Sequence, residues 1–240
     1  MNLQSALRIV YPPQCISCGA LTESDFGLCG SCWRETPFIS GLVCDTCGTP
    51  LPGEDTDNAV HCDDCMSIAR PWKRGRAVLL YRDNGRKIVL AIKHGDRTDL
   101  ARPAGGWMAA AAAPLIREDT VLVPVPLHWS RLFRRRYNQS AMLAQWMSRS
   151  LNVPVCPDAL LRPRKTQSLG GQGRDGRFAL MQGAVTPHPG RLSNIRGKSV
   201  LLVDDVMTSG ATLAACAEAA HAAGAKEVCV LLLARAAKEA

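Results

Sequence analysis

One stretch of the sequence decides the fold: Val200-Leu-Leu-Val-Asp204-Asp205-Val-Met-Thr208-Ser209-Gly210-Ala211-Thr212. Its four leading apolar residues predict a buried strand over residues 200–203, and two adjacent carboxylates follow that strand directly. A turn of small and hydroxyl-bearing residues then leads into a helix predicted over residues 212–223. That helix ends before Gly224, the residue type favoured just past a helix C-terminus. A strand, a short turn and a helix in this order are typical of an α/β domain.

The same alternation of strands and helices continues on both sides of this stretch. Apolar runs predict three further strands, over residues 77–81, 121–125 and 228–233. Periodic apolar patterns predict three further helices, over residues 85–93, 101–116 and 138–151. We therefore predict a mainly parallel sheet flanked by helices, in a domain that spans residues 77–240 and is called the body below.

The two carboxylates and the turn after them indicate a sugar phosphate ligand. In an open α/β sheet, ligands bind beyond the carboxyl ends of the strands. Backbone amides of a small-residue turn at a helix N-terminus suit a phosphate. Asp204 and Asp205 would repel a phosphate, so they suit sugar hydroxyls or a Mg²⁺ ion. The alternative is that these residues only cap the helix, but a cap needs one Ser, Thr or Asp and leaves the second acid unexplained.

The composition is that of a globular protein. The chain has 240 residues, of which 47% are hydrophobic and 21% are charged, and this excludes a disordered chain. No apolar run approaches the roughly 20 residues needed to span a bilayer, and the N-terminus has no basic region followed by an apolar one. We therefore expect a cytoplasmic protein that does not insert into a membrane.

Charge is distributed unevenly along the chain. Residues 1–70 contain three Lys or Arg against nine Asp or Glu, a formal charge of −6, whereas the remaining residues carry +14. A strongly basic body indicates a polyanionic partner, either a nucleic acid or a phosphorylated small molecule.

Eight of the eleven cysteines form four Cys-x-x-Cys turns near the N-terminus: Cys15 and Cys18, Cys29 and Cys32, Cys44 and Cys47, and Cys62 and Cys65. Two such turns complete the tetrahedral four-cysteine shell that zinc prefers. A closed shell leaves no open position for substrate, so the predicted zinc ions are structural. We predict a double zinc ribbon with two zinc ions over residues 1–70, called the head below.

Several details of the head stay open at this point. Disulfides would need an oxidising compartment, a redox Cys-x-x-Cys normally occurs singly, and an iron–sulfur cluster is a further alternative. Sequential pairing of the four turns around two ions is the simplest arrangement, and interleaved pairing is also compatible with the spacing. Residues 70–76 are interpreted as a linker between the head and the body.

The segment Val-Asp-Asp-Val-Met-Thr-Ser-Gly-Ala-Thr resembles the signature of type I phosphoribosyltransferases. Joined to a cysteine-ribbon head, it resembles the ComF family, which is associated with DNA uptake in natural competence. Three further segments match that family: Lys93 and its neighbours, residues 123–126 with 136–139, and residues 164–168. The resemblance covers essentially the whole chain.

The resemblance implies a site for phosphoribosyl pyrophosphate (PRPP) with Mg²⁺. Asp204 and Asp205 would contact the ribose hydroxyls as the catalytic acids. The full PRPP-binding segment would be Asp204, Asp205, Val206, Met207, Thr208, Ser209, Gly210, Ala211 and Thr212, of which the last five would hold the 5-phosphate. The turn Pro126, Leu127 and His128 would lie near the pyrophosphate. Residues 164–177, with Lys165, Arg174 and Arg177, would form a mobile loop that closes over the site.

A basic cluster follows this turn and consists of Arg131, Arg134, Arg135 and Arg136. A solvated helix face and a patch that binds a nucleic-acid backbone are both compatible with it. For Trp129 and Tyr137, which flank the cluster, core packing is the expected role and stacking on bases is the alternative.

Two functions compete at this stage. The first is a Mg²⁺-dependent enzyme that transfers phosphoribose from PRPP to an unidentified acceptor. The second is a non-catalytic factor that binds single-stranded DNA, with PRPP as a regulatory ligand. The family resemblance further implies a competence helicase or another DNA-processing protein as a partner. A transcriptional regulator is less favoured, because no helix-turn-helix pattern is evident.

Overall fold

A computed structural model describes residues 11–54, 58–166 and 173–237 of the chain. The strands in this part are β1 (Arg74–Leu80), β2 (Thr120–Pro124), β3 (Leu160–Leu161), β4 (Thr186–Pro187), β5 (Ser199–Met207) and β6 (Glu227–Arg235). Four of them form one sheet in the order β1-β6-β5-β2, and every neighbouring pair in it is parallel. The other two, β3 and β4, form a short antiparallel pair. The predicted α/β architecture is confirmed.

In the described part of the chain, two short helices precede β1 in the head, and the other helices lie between the strands of the body. They are α1 (Gly30–Glu35), α2 (Asp63–Ser67), α3 (Asp83–His94), α4 (Ala101–Ala112), α5 (Trp129–Arg135), α6 (Gln139–Leu151), α7 (Arg174–Met181), α8 (Leu192–Ile195) and α9 (Ala211–Ala222). Short 3₁₀ turns at Thr98–Leu100, Ala113–Leu115 and Pro189–Arg191 complete the set. Every helix predicted in the body is present, with shifts of a few residues at the ends.

The sheet separates two apolar cores. Alternate residues of β5 point to opposite faces, as expected for a strand. Val200 and Leu202 join a core formed with α9, α7 and the β3–β4 pair, whereas Leu201 and Val203 join a core formed with α3, α4 and α6. Both faces of the sheet are covered, which explains why the strands are continuous apolar runs.

The structure differs from the sequence prediction at β5. The predicted strand ends at residue 203, but β5 continues through Asp204 and Asp205 to Met207. The reason is the neighbouring strand β6, whose backbone pairs with β5 as far as the partners Met207 and Arg235. A polar pair ends the apolar pattern but does not end the hydrogen-bonded ladder.

The segment interpreted as a linker also differs, because β1 begins at Arg74 rather than at residue 77. The head lies directly against this strand. Gly75 N donates to Asp45 O, Ile39 N donates to Val78 O, and Leu80 N donates to Pro37 O, at 2.8 to 2.9 Å. Phe38 also forms an isolated antiparallel bridge with Leu79. The early start of β1 reflects its parallel ladder with β6, in which Arg74 is paired with Cys229, and the head adds backbone bonds along the same strand.

Within the described residues, no helix combines the length and the apolar character that a bilayer crossing requires.

Candidate functional site

The two adjacent carboxylates lie near the carboxyl end of β5 and have different partners. Asp204 Oδ1 accepts a hydrogen bond from Ser140 Oγ at 2.9 Å and another from the backbone N–H of Asp205 at 2.9 Å. Asp205 is buried, and its Oδ1 lies 2.9 Å from Lys93 Nζ. The first turn of α6 therefore holds Asp204, and the last turn of α3 holds Asp205.

This environment changes the acidity of Asp204. Burial and the negative charge of Asp205 raise the pKa of Asp204 to about 7, although Lys93 and the Ser140 hydrogen bond act in the opposite direction. A carboxyl group with this pKa exchanges its proton near neutral pH. Loss of that proton frees both oxygens to accept hydrogen bonds and gives the group the negative charge that binds a cation.

The segment from Tyr137 to Ser140 fixes the surroundings of the acid pair. Tyr137 donates its hydroxyl to Ile92 O at 2.7 Å, and Asn138 Nδ2 donates to Val125 O at 3.0 Å. Asn138 Oδ1 also caps α6, since it accepts from the N–H of Ser140 at 3.0 Å. These contacts tie α6 to α3 and to the end of β2, and they aim Ser140 at Asp204.

Residues 208–212, called the 208–212 loop below, comprise the turn after β5 and the first two residues of α9. No side chain of a described residue caps α9 at Gly210, and Ser209 Oγ lies 3.4 Å from Ala211 N, at the long end of the hydrogen-bond range. Gly210 has a φ of +86°, which favours glycine. Unlike the loop, the residues Val206 and Met207 belong to β5, and Met207 is buried. The start of α9 therefore has the features of an anion site.

Two arginines that the sequence analysis did not single out hold this loop. Arg70 Nη1 donates to Ser209 O at 2.7 Å. Arg235 is buried, and its Nη1 donates to Met207 O at 3.1 Å and to Thr208 O at 2.9 Å. Both residues are distant from the loop in sequence, and neither occurs in a recognisable motif, so no local signal could have identified them.

The predicted pyrophosphate turn follows β2. Pro126 and His128 are buried and Leu127 is half-buried. His128 caps the short helix α5, because its Nδ1 accepts from Ser130 N at 3.2 Å. The structure thus gives His128 a capping partner that sequence analysis could not name.

The predicted mobile loop over residues 164–177 is only partly within the described residues, because residues 167–172 lie outside them. Its last four residues are not a loop: they form the first turn of α7, which places Asp175 where a helix favours an acid. Arg177 Nη1 lies 3.3 Å from Thr208 Oγ1 and so reaches the 208–212 loop. Lys165 is exposed, and Arg174 begins α7.

The basic cluster lies on α5 and at its end. Arg134 and Arg136 are exposed, whereas Arg131 is half-buried and donates from Nη2 to Thr166 O at 3.1 Å. Arg135 is half-buried, and burial together with the positive charges of Arg135 and Lys93 lowers the pKa of His94. A positive field therefore surrounds the end of α3, where Lys93 meets the acid pair.

The expectation that Trp129 packs in the core was wrong. Trp129 is 71% exposed, and Phe133, four residues later on the same helix face, is 86% exposed. The reason is that α5 is only seven residues long and has no buried residue, so it lies on the surface. Tyr137, in contrast, is half-buried and bonded to α3.

The eight cysteines of the head form two groups of four. One group is Cys15, Cys18, Cys29 and Cys32, and the other is Cys44, Cys47, Cys62 and Cys65; in each, all sulfur atoms lie within 4.8 Å of one another. The pairing is sequential, not interleaved. His61 stays outside the second group, and its Nδ1 lies 3.0 Å from Thr46 Oγ1.

The donor chemistry of both groups fits zinc. A hydrogen bond with Ser31 lowers the pKa of Cys29 to about 6, whereas burial and neighbouring thiols raise the pKa of Cys32 to about 12. In such a close group, some thiols lose their proton more easily than others. A Zn²⁺ ion at the centre would stabilise all four as thiolates. Four cysteines close the coordination shell, so these are structural sites.

Both the head and the body are similar to known protein families. A family model described as a double zinc ribbon domain matches residues 6–66, and one described as a phosphoribosyl transferase domain matches residues 138–240. Competence protein F of Haemophilus influenzae is 27% identical over 93% of this chain and 97% of its own length. The chain is therefore similar to ComF-family proteins along both the head and the body.

Two other relatives are similar over most of their length. DNA utilization protein YhgH of Escherichia coli is 28% identical over 95% of this chain and 99% of its own length. Competence protein ComFC of Bacillus subtilis is 24% identical over 80% of this chain and 77% of its own length. Because these matches extend across the head and the body, the double zinc ribbon and the phosphoribosyltransferase fold are both confirmed.

Proposed function

We propose that this protein binds PRPP together with Mg²⁺ at the carboxyl end of β5 and transfers its phosphoribosyl group to a nucleophilic acceptor. One observation carries the proposal: two adjacent carboxylates, the half-buried Asp204 and the buried Asp205, are held by Ser140 and Lys93 next to a helix start whose N-cap residue offers no side-chain cap. Carboxylates accept hydrogen bonds from sugar hydroxyls, and backbone amides at a helix N-terminus donate hydrogen bonds to a phosphate. A ligand that needs both within reach is a sugar phosphate.

The chemistry assigns a role to each part of the site. The C1–O bond of PRPP breaks with its electron pair leaving on pyrophosphate, while a lone pair of the acceptor forms the new bond to C1. Positive charge develops on the sugar, which the nearby carboxylates Asp204 and Asp205 favour. Negative charge develops on the leaving group, which Lys93, Arg135 and Arg177 favour. Asp204 and Asp205 would help to hold a Mg²⁺ ion that accompanies PRPP, and such an ion would neutralise part of that charge.

Calorimetric titration of Mg²⁺–PRPP into zinc-loaded protein tests the binding step. We expect saturable binding by the wild type and its loss in Asp205→Asn. Asp99→Asn is the matched control, because Asp99 is paired with Arg97 at the surface, away from the site. Absence of binding by the wild type would overturn the proposal. Where binding occurs, release of pyrophosphate in the presence of candidate nucleophiles tests transfer.

A second function is favoured by the surface of α5. Trp129 and Phe133 are exposed aromatic rings, and the guanidinium groups of Arg134 and Arg136 are exposed beside them. Rings that stack on bases, combined with cations that contact phosphates, are the usual means of binding single-stranded nucleic acid. The names of the relatives, which refer to competence and to DNA utilization, support a role in DNA uptake. A DNA-processing protein such as a competence helicase would then act on the same strand.

Binding of a fluorescent single-stranded oligonucleotide, measured by anisotropy over a range of salt concentrations, tests this second function. We expect Arg134→Ser with Arg136→Ser to weaken binding and to reduce the salt slope by roughly 0.7 for each lost phosphate contact. Asp205→Asn should leave DNA affinity unchanged. If the double arginine variant keeps the affinity and slope of the wild type, α5 is not the DNA site.

The cysteine groups predict a metal content of two zinc ions per chain, with a structural role. Elemental analysis of the purified protein should find about two equivalents of zinc. Replacing Cys18 by Ser should remove one of them, because the first group would keep only three thiolates. One equivalent in the wild type would contradict the assignment of both groups as zinc sites.

A further inference from the structure

The segment that joins the head to the body packs against the 208–212 loop. Arg70 Nη1 donates to Ser209 O at 2.7 Å, and Trp72 is buried. A Cβ atom added to Gly210 would lie 2.8 Å from Arg70 Nη1 and 3.2 Å from the indole ring of Trp72. The loop therefore rests on these two side chains with no space between them.

The same two side chains are anchored on the second zinc ribbon. Trp72 Nε1 donates at 2.7 Å to the carbonyl oxygen of Thr46, which lies between the ligands Cys44 and Cys47. The guanidinium group of Arg70 lies over the rings of Trp72 and Phe178, at 5.4 and 5.9 Å from their centroids. A continuous chain of contacts thus leads from the second ribbon to the backbone of Ser209.

The two ribbons differ in the apolar core against which each one packs. Cys44 and Cys47 belong to the same apolar core as Met207, which precedes the loop, and Ala211, which is part of it. The first ribbon packs on the opposite face of the sheet, where Ile16 joins the core of α3 and α4. Among the described residues, only the second ribbon shares a core with the loop.

We propose that the second zinc ribbon, acting through Trp72 and Arg70, holds the 208–212 loop in the geometry that binds the 5-phosphate. Arg70 is a positioning residue, since it bonds to the loop backbone. The proposal rests on the function proposed above for that loop. It predicts that disturbing the second ribbon weakens phosphate binding, whereas disturbing the first does not.

The first experiment combines ligand affinity with hydrogen exchange. Ribose 5-phosphate and PRPP share the 5-phosphate, so Arg70→Met should weaken both by a similar factor of about ten, the loss expected for one charge-assisted hydrogen bond. Amide exchange of residues 208–212 in the ligand-free variant should be faster than in the wild type. Arg70→Lys should recover part of both properties. Trp72→Phe, which keeps the ring but loses the bond to Thr46, should also speed up exchange.

Lys73→Met is the control, because it removes a cation from the same segment whose partner is Glu227 at the surface. It should leave affinity and exchange unchanged. Unaltered exchange in Arg70→Met and Trp72→Phe would overturn the inference whether or not the protein binds PRPP. Absence of PRPP binding by the wild type, with the exchange effects present, would instead overturn the proposed function alone.

The second experiment compares one cysteine from each ribbon. Cys29 and Cys62 are partly buried, and each lies at the N-cap of a short helix, α1 or α2 respectively. Cys62→Ser should increase exchange of residues 208–212 and weaken ribose 5-phosphate, whereas Cys29→Ser should do neither. Zinc analysis would verify that each variant lacks one ion. Equal effects of the two substitutions would overturn the assignment to the second ribbon.

Discussion

Lys93 Nζ lies 2.9 Å from Asp205 Oδ1, and the side chains of both residues are largely buried. This ion pair explains how two adjacent carboxylates can occupy one strand end. Lys93 neutralises Asp205 directly, and its charge also opposes the rise in the pKa of Asp204. The cation comes from the last turn of α3, more than one hundred residues before the acids.

Replacement of Lys93 by Met should lower the free energy of unfolding by about 3 kcal/mol, because it leaves a buried carboxylate without its partner. Urea unfolding at neutral pH would measure the change. Lys73→Met removes an equivalent cation from a surface pair with Glu227 and should cost less than about 1 kcal/mol. Similar losses in the two variants would show that burial does not distinguish these pairs.

Stability should depend on pH through Asp204. Its pKa of about 7 exceeds the ordinary value of 3.8, so between these values the folded protein holds a proton that the unfolded chain has released. The stabilising contribution is complete below about pH 4 and is lost as the pH rises through 7. Relative to Asp204→Asn, the free energy of unfolding of the wild type should fall by up to about 1.4 kcal/mol for each unit that the pH rises in this interval. Urea unfolding of both proteins at several pH values in zinc-containing buffer would measure this difference. The same pH dependence in the two proteins would contradict the raised pKa of Asp204.

The aromatic pair on α5 should contribute to DNA affinity without contributing to stability. Trp129→Ala and Phe133→Ala each remove a ring that is exposed, so melting temperatures should stay close to that of the wild type. Affinity for a single-stranded oligonucleotide should fall by about 1–3 kcal/mol per ring, the range found for stacking on a base. Tyr11→Ala removes an equally exposed ring from the head and serves as the control. A loss as large in the control would argue against a specific site on α5.

Two glycines of the head should differ sharply in their tolerance of alanine. Gly41 and Gly48 have φ values of +72° and +69°, so both substitutions carry the cost of a left-handed residue, about 1–2 kcal/mol. A Cβ at Gly41 meets no atom within 4 Å, whereas a Cβ at Gly48 would lie 2.6 Å from Ala77 N. Gly48→Ala should therefore cost at least about 2 kcal/mol more, because it separates the second ribbon from β1. Thermal and urea unfolding would compare the stabilities of the two variants. Equal losses of stability would mean that β1 can shift to make room for the added Cβ atom.

Much of this molecule could be predicted from local patterns. Apolar runs and periodicities identified the strands and helices of the body, and the spacing of the cysteines identified the ribbons, because these signals lie within a few residues of one another. The prediction was wrong where the structure of a segment depends on contacts with residues far away in the sequence. Pairing with β6 carries β5 past residue 203 and starts β1 at Arg74, and the shortness of α5 leaves Trp129 on the surface.

The sequence by itself determined the residue types of the site: two acids after a strand, small residues before a helix, and thiols at zinc-ligand spacing. Only the tertiary structure decided which groups complete them. Lys93, Ser140, Arg70 and Arg235 reach the acids and the 208–212 loop from four separate segments. A buried charge or backbone carbonyl requires a partner close to it in space. That partner can come from any part of the sequence, so only the folded chain shows which residue it is.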